Sequence, residues 1–194
     1  MYLLFDTETT GIPSYTASAS DPKQARIVQL AAVLLDEKYI ERQSFCFLIK
    51  PSGDNWIMNP GAQKAHGISK EDCLKYGIEI GLALDLFNNI YDRSMIRIAH
   101  NIKFDSRMIE IEQMLCDIAV DASWGVPNFN VCTMVGTTEL CKLPGRNGAY
   151  KWPKLQELHT FLFGQPFEKA HDALADVRAT ARCFRHLKEN QLIA

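Results

Sequence analysis

Asp6 and Glu8 stand one residue apart in FDTETTG, directly after the apolar residues 2–5. Side chains two apart on a strand point to the same face, so an extended segment here sets two carboxylates within a few ångströms of each other. Like charges held that close destabilise a fold unless something neutralises them. Two further acidic spots fall at the ends of other elements: Asp105 in HNIKFD, and Asp172 with Asp176 in HDALAD. Open α/β sheets bind their ligands at such ends. Carboxylates without thiolates or clustered histidines select hard cations, which predicts Mg2+ or Mn2+ and not zinc. Mg2+ also favours one or two protein carboxylates together with phosphate oxygens. These residue types favour metal-assisted phosphoryl chemistry over the alternative reading, plain surface acids.

The elements that must position these acids read as a mixed α/β pattern. A first strand covers residues 2–5, and IVQLAAVLL (Ile27–Leu35) forms a second whose near-continuous apolar character predicts burial on both faces. The small, polar stretch between them is a loop. Ser44–Ile49 alternates Phe45, Phe47 and Ile49 against Ser44, Cys46 and Leu48, as a third strand does. Asn59-Pro60 then opens a helical section, Gly67 closes its first turn, and Ser69 with Asp72 has the spacing of a capping box. A helix over Ile78–Tyr91 leads to a fourth strand, Met95–Ala99, and helical spacing resumes at Phe104, Met108, Ile111 and Leu115. Asn130–Thr133 makes a short fifth strand. Helices over Pro153–Phe163 and Asp172–Lys188 close the chain, the last with Val177, Thr180, Phe184 and Leu187 on its inner face and Asp172 as its N-cap.

Composition narrows the function classes. The 194 residues fit one domain over 1–194, with 47% hydrophobic and 23% charged residues, values ordinary for a globular protein. A net charge of −2 means that any nucleic-acid site is a local basic patch or a metal centre. The six cysteines lie far apart with no CxxC pair, so they read as buried thiols in a reducing compartment. Asp6 stands where a signal peptide would carry its apolar region, and no segment has the length of a membrane span. The expectation is a cytoplasmic protein without a membrane partner.

FDTETTG, HNIKFD and HDALAD, in this order, together resemble the three motifs of the DEDDh, or DnaQ-like, family of 3′–5′ exonucleases. The segments IVQLAAVLLDE, NPGAQKAHGIS and KLQELHTFLFGQPFEKAHDALADVRAT also look like the corresponding parts of epsilon-type proofreading domains. The resemblance implies a ribonuclease-H-like fold, a five-stranded mixed sheet with its second strand antiparallel, flanked by helices. It implies Asp6, Glu8, Asp105 and Asp176 as ligands of two Mg2+ or Mn2+ ions, and His171 as the general base. An imidazole suits that task because it can accept a proton near neutral pH. The implied reaction is hydrolysis of terminal phosphodiesters to nucleoside 5′-monophosphates, with single-stranded DNA ahead of RNA as substrate.

In the resembling enzymes the backbone matching Thr9, Thr10 and Gly11 lies against the terminal nucleotide, and His100, Asn101 and Phe104, close to Asp105, join them as candidate substrate contacts. Each also has a structural reading: a strand-ending turn for Thr9–Gly11, orientation of the turn before Asp105 for His100, and core packing for Phe104. His66 reads as packing within HGI. CKLPGRNGAYKWPKL carries Lys142, Arg146, Lys151 and Lys154 beside Tyr150 and Trp152, either a phosphate-tracking loop or a solvated one. The rival functions are an RNA 3′–5′ exonuclease, a phosphodiesterase acting on a small nucleotide, and a non-catalytic nucleic-acid-binding module of the same fold. All five motif positions are filled, which favours an enzyme. The chain stops soon after its last motif helix, without a tail of the kind that binds a polymerase. The expectation is a stand-alone enzyme, or one that meets a polymerase through the domain surface.

Overall fold

The computed structural model describes residues 1–53, 56–120, 126 and 129–193. Five strands, β1 (Tyr2–Thr9), β2 (Ile27–Leu35), β3 (Glu41–Leu48), β4 (Ile96–Ala99) and β5 (Asn130–Cys132), form one mixed sheet in the order β3-β2-β1-β4-β5. β2 runs antiparallel to β1 and β3, while β4 is parallel to β1 and β5 parallel to β4. The helices are α1 (Pro60–His66), α2 (Lys70–Tyr76), α3 (Ile80–Tyr91), α4 (Ile102–Leu115), α5 (Thr133–Gly136), α6 (Thr138–Cys141), α7 (Leu155–Phe163) and α8 (Ala173–Glu189). No helix among the described residues is long and apolar enough to cross a membrane.

Strand alternation divides the core into two layers. Leu3 and Phe5 enter one cluster with Phe87 of α3 and Met108 and Ile109 of α4. Leu4 points the other way, joining Ala31, Val33 and Ile98 under Val177 and Phe184 of α8. By the same alternation Asp6 and Glu8 share the face of Leu4, the face that α8 covers. β2 is buried along its length except at the partly exposed Gln29, as its apolar run predicts.

Several boundaries differ from the sequence expectation. β1 does not stop at Phe5 but continues to Thr9, because β2 pairs with it through Glu8↔Gln29 and Thr9↔Ile27. The acids therefore lie within the strand, not beyond it. β3 starts at Glu41, where an exposed polar segment lacks the alternation seen from Phe45 onwards. α7 begins at Leu155, two residues after Pro153, with the Lys154 N–H donating to the Glu157 carboxylate at 2.8 Å. The caps of the 59–72 section form as read: the Asn59 side chain accepts from Gly61 N–H, Gly67 is left-handed, and Ser69 and Asp72 make a reciprocal capping box.

Candidate active site

Four carboxylates from three elements converge at the C-terminal end of β1. Asp6 and Glu8 come from the strand, Asp105 from the first turn of α4, and Asp176 from the first turn of α8. The pairing of β1 with β4 extends only as far as Leu4↔Ile98, so β1 runs on past its neighbour. Asp105 takes the vacated position: its Oδ1 accepts the backbone N–H of Thr7 at 3.0 Å and the Thr7 hydroxyl at 2.8 Å. That fixes a buried carboxylate beside Asp6. Asp172 caps α8 by accepting from Ala175 N–H at 3.0 Å, which orients the turn carrying Asp176.

His171 is exposed and holds a left-handed backbone, φ +69°. That conformation turns its own N–H back onto the Asp176 carboxylate, at 3.2 and 3.4 Å, and leaves the ring to the solvent side. Ligand atoms of Glu8, His171 and Asp176 all lie within 4.8 Å of one another. Histidine is one of the non-glycine residues that tolerate positive φ best, so the strain is small.

The electrostatics are one-sided. Burial, and then repulsion from Asp105, Asp176 and Glu8, holds the Asp6 carboxyl well above its ordinary range. Burial with the charges of Asp176, Asp105 and Asp172 pushes Glu8 up to about 8. Burial pushes Asp105 up to about 7 against the opposing Thr7 bonds, and Asp176 up to about 6 against the His171 N–H and imidazole. None of the four forms a salt bridge with Lys or Arg among the described residues. A cluster of this kind attracts a cation, and oxygen donors suit a divalent one. The imidazole of His171 adds a nitrogen donor that zinc also takes, so the sequence-based exclusion of zinc does not carry over.

A cleft of about 520 Å3 opens beside the acids, lined by Glu8, Thr9, Gly11, Ile12, His66 and Phe104 among others. Thr9 and Thr10 are buried and their hydroxyls are occupied: Thr9 donates to Gly11 O at 2.7 Å, and Thr10 accepts from Arg26 N–H at 2.9 Å. They shape the cleft chiefly through backbone. Phe104 fills both of its readings, packing against the α3–α4 core while bordering the cleft. Asn101 is the N-cap of α4, its carbonyl accepting from Phe104 and Asp105 N–H at 2.8 and 3.3 Å.

His100 departs from its assignment as a substrate contact. Both ring nitrogens are spent, Nδ1 with the Thr133 hydroxyl at 3.0 Å and Nε2 on the Pro153 carbonyl at 2.9 Å, and burial lowers the imidazole to about 4. A neutral ring at Nε2–H is a structural tie, and it does not border the cleft. His66, read as packing, is the residue the sequence reading missed. Its Nδ1 accepts from Ile68 N–H at 3.0 Å, so Nε2 carries the proton and donates to Thr9 O at 3.2 Å, holding the HGI turn as a wall of the cleft. The segment NPGAQKAHGIS was the available signal.

The chain is similar to known proteins. The sequence model described as exonuclease matches residues 3–184. The chain is 33% identical over 114 residues to DNA polymerase III subunit epsilon of Rickettsia prowazekii (strain Madrid E), a match covering 58% of this chain and 44% of that protein. The subunit of Rickettsia felis is 32% identical over the same length and coverage. These matches thus span less than half of the relatives. Among solved structures, E. coli exonuclease I in complex with a dT13 oligonucleotide has a TM-score of 0.73 at 22% identity, covering 98% of this chain and 41% of that one. The zinc-bound E. coli exonuclease I–single-stranded DNA complex has a TM-score of 0.70 at 22% identity, covering 98% and 40%. These structures establish the ribonuclease-H-like fold, and the match over residues 3–184 establishes the lineage: the chain belongs to the exonuclease family, among its DnaQ-like 3′–5′ members.

Proposed function

We propose that this protein shortens a nucleic-acid strand from its 3′ end, hydrolysing the terminal phosphodiester to release a nucleoside 5′-monophosphate. The observation that carries the reading is the convergence of four carboxylates, unpaired with Lys or Arg, beside an exposed imidazole and an open cleft. Asp6, Glu8, Asp105 and Asp176 would hold two divalent cations. Bound there, the ions supply Lewis-acid activation of water and neutralise charge on the attacked phosphate. His171 takes the proton of the attacking water at a ring nitrogen. Water adds at phosphorus, the 3′-oxygen of the penultimate nucleotide leaves, and the phosphate stays on the released nucleotide. Glu8 and Asp176 border the imidazole and hold the positive charge it gains.

The terminal nucleotide lies in the cleft, against the Thr9–Gly11 backbone, Phe104 and His66. Single-stranded DNA is the favoured substrate, since the matched relatives are subunits of a DNA polymerase and the similar structures include complexes with DNA oligonucleotides. Mg2+ or Mn2+ is the favoured metal on the strength of the oxygen donors. The test is digestion of 5′-labelled linear DNA, linear RNA and closed circular single-stranded DNA with Mg2+, Mn2+, Zn2+ or EDTA. A ladder shortening from the 3′ end of linear DNA, abolished by EDTA, is expected. Cleavage of the circle, or turnover persisting in EDTA, would overturn the reading.

A further inference from the structure

The segment after α6 is a built hairpin, not a solvated loop. Lys151 N–H donates to Leu143 O at 3.0 Å, Gly145 N–H to Ala149 O at 2.9 Å, and Pro144 pairs with Tyr150. At its tip Asn147 (φ 55°, ψ 33°) and Gly148 (φ 78°) are both left-handed, the signature of a tight Asn-Gly hairpin turn. Gly145 permits the close approach, since a Cβ there would lie 2.6 Å from Ala149 O. The base is anchored at two points: Leu143 packs beside Cys141, Leu158 and Cys183, and buried Pro153 receives the bond from His100. His100 immediately precedes Asn101 and the turn that carries Asp105. The hairpin is thus tied to the turn that carries Asp105, while the cleft is lined by Glu8, Phe104 and residues of α1, none of them from the hairpin.

Its surface has a distinct character. Trp152 is 63% and Tyr150 42% exposed. Lys151 is paired with Glu157, but Lys142, Arg146 and Lys154 make no salt bridge among the described residues. Exposed aromatic rings beside unpaired cations, on a chain of net charge −2, match the chemistry of a strand of phosphodiesters with stackable bases. A rigid turn also lowers the entropy lost when such a strand is held.

We propose that hairpin 143–151, continued through Trp152 and Lys154, is a track for the single strand lying 5′ of the nucleotide in the cleft. Bases stack on Tyr150 and Trp152 while Lys142, Arg146 and Lys154 follow the phosphates. The proposal rests on the exonuclease reading for its direction, but its test reads binding alone.

Fluorescence anisotropy with 5′-labelled oligothymidylate and oligouridylate of about 20 nucleotides and of about 3 nucleotides, in EDTA, compares wild type with Arg146→Ala and Trp152→Ala. Each variant should bind the long strand about five- to tenfold more weakly and the short one at most about twofold more weakly. Arg146→Ala should reduce the log–log salt slope by about 0.7, and Trp152→Phe should restore most of the lost affinity. Loss equal on long and short strands, or no loss, overturns the track and assigns the surface to a protein partner or to none. Relative loss on the two polymers tells DNA from RNA. Track-dependent binding without 3′ shortening in Mg2+ would instead overturn the exonuclease reading and leave the track standing.

Discussion

A carboxylate whose pKa is raised on folding, by burial first and neighbouring charge second, is stabilised by a proton or a cation. Glu8 at about 8 and Asp105 at about 7 are protonated in the folded chain at pH values where the unfolded chain is ionised. The native state then binds more protons, and stability rises as pH falls through that window. Without metal, the melting temperature should therefore increase between about pH 8.5 and about pH 6.5. Below that, His100, lowered to about 4 by burial, is protonated only in the unfolded chain and offsets part of the gain, which the remaining acids sustain until they reach their ordinary carboxylate range. Saturating Mg2+ should raise the melting point most at the alkaline end, and calorimetry in EDTA and in Mg2+ checks both slopes. Asp6→Asn should melt higher than wild type in EDTA at pH 8.5, lose the gain from Mg2+, and lose at least about a thousandfold in turnover. A melting point lowered by the substitution would mark Asp6 as structural. His171→Asn keeps a residue that accepts the left-handed backbone, so turnover should fall about 10²–10⁴-fold with the melting temperature nearly unchanged. An unchanged rate would reassign the imidazole.

Elements hold these side chains through a few long-range polar ties. Arg26, just before β2, forks onto Glu112 of α4, with bonds of 3.0 and 2.8 Å to its two oxygens, while Glu112 also accepts Ile27 N–H at 2.8 Å. The two side chains are 10% and 1% exposed. Removing one member of such a pair leaves a buried charge uncompensated, so Glu112→Ala should cost about 3–5 kcal/mol. For a chain of this length that corresponds to a drop of roughly 6–20 °C, measurable by thermal melting. The same ties mark the limit of what the sequence reveals. Periodicity located β2, α4 and α8 because their buried stripes are local patterns. It ended β1 at Phe5, since the continuation to Thr9 depends on pairing with β2 and on Asp105 receiving Thr7 N–H across 98 residues. The acids drew attention because Asp6 and Glu8 stand two apart on an apolar strand, and the resemblance in three motifs joined Asp105 and Asp176 to them. The task of His100 was not, because its partner carbonyl at Pro153 lies 53 residues away.

At the scale of the molecule, the sheet order places the N-terminal strand in the middle, with β2 and β3 on one side and β4 and β5 on the other. The resemblance in three motifs supplied this topology; the spacing of apolar residues supplied only a mixed sheet. The central position of β1 also has a temporal consequence. β1, β2 and β3 are neighbours in sequence and can zip together while the chain is still being made, whereas β4 requires a closure of more than 90 residues. The underside of the meander, with Leu4, Ala31, Val33 and Leu35, stays uncovered until α8 arrives near the C-terminus. During synthesis at about 5–20 residues per second, that apolar sheet face is open for several seconds, which exposes the nascent chain to aggregation and to chaperones. Because Asp176 rides on the same helix, the moment that buries the sheet is also the moment that assembles the acids, so a chain made only as far as α7 carries an incomplete cluster.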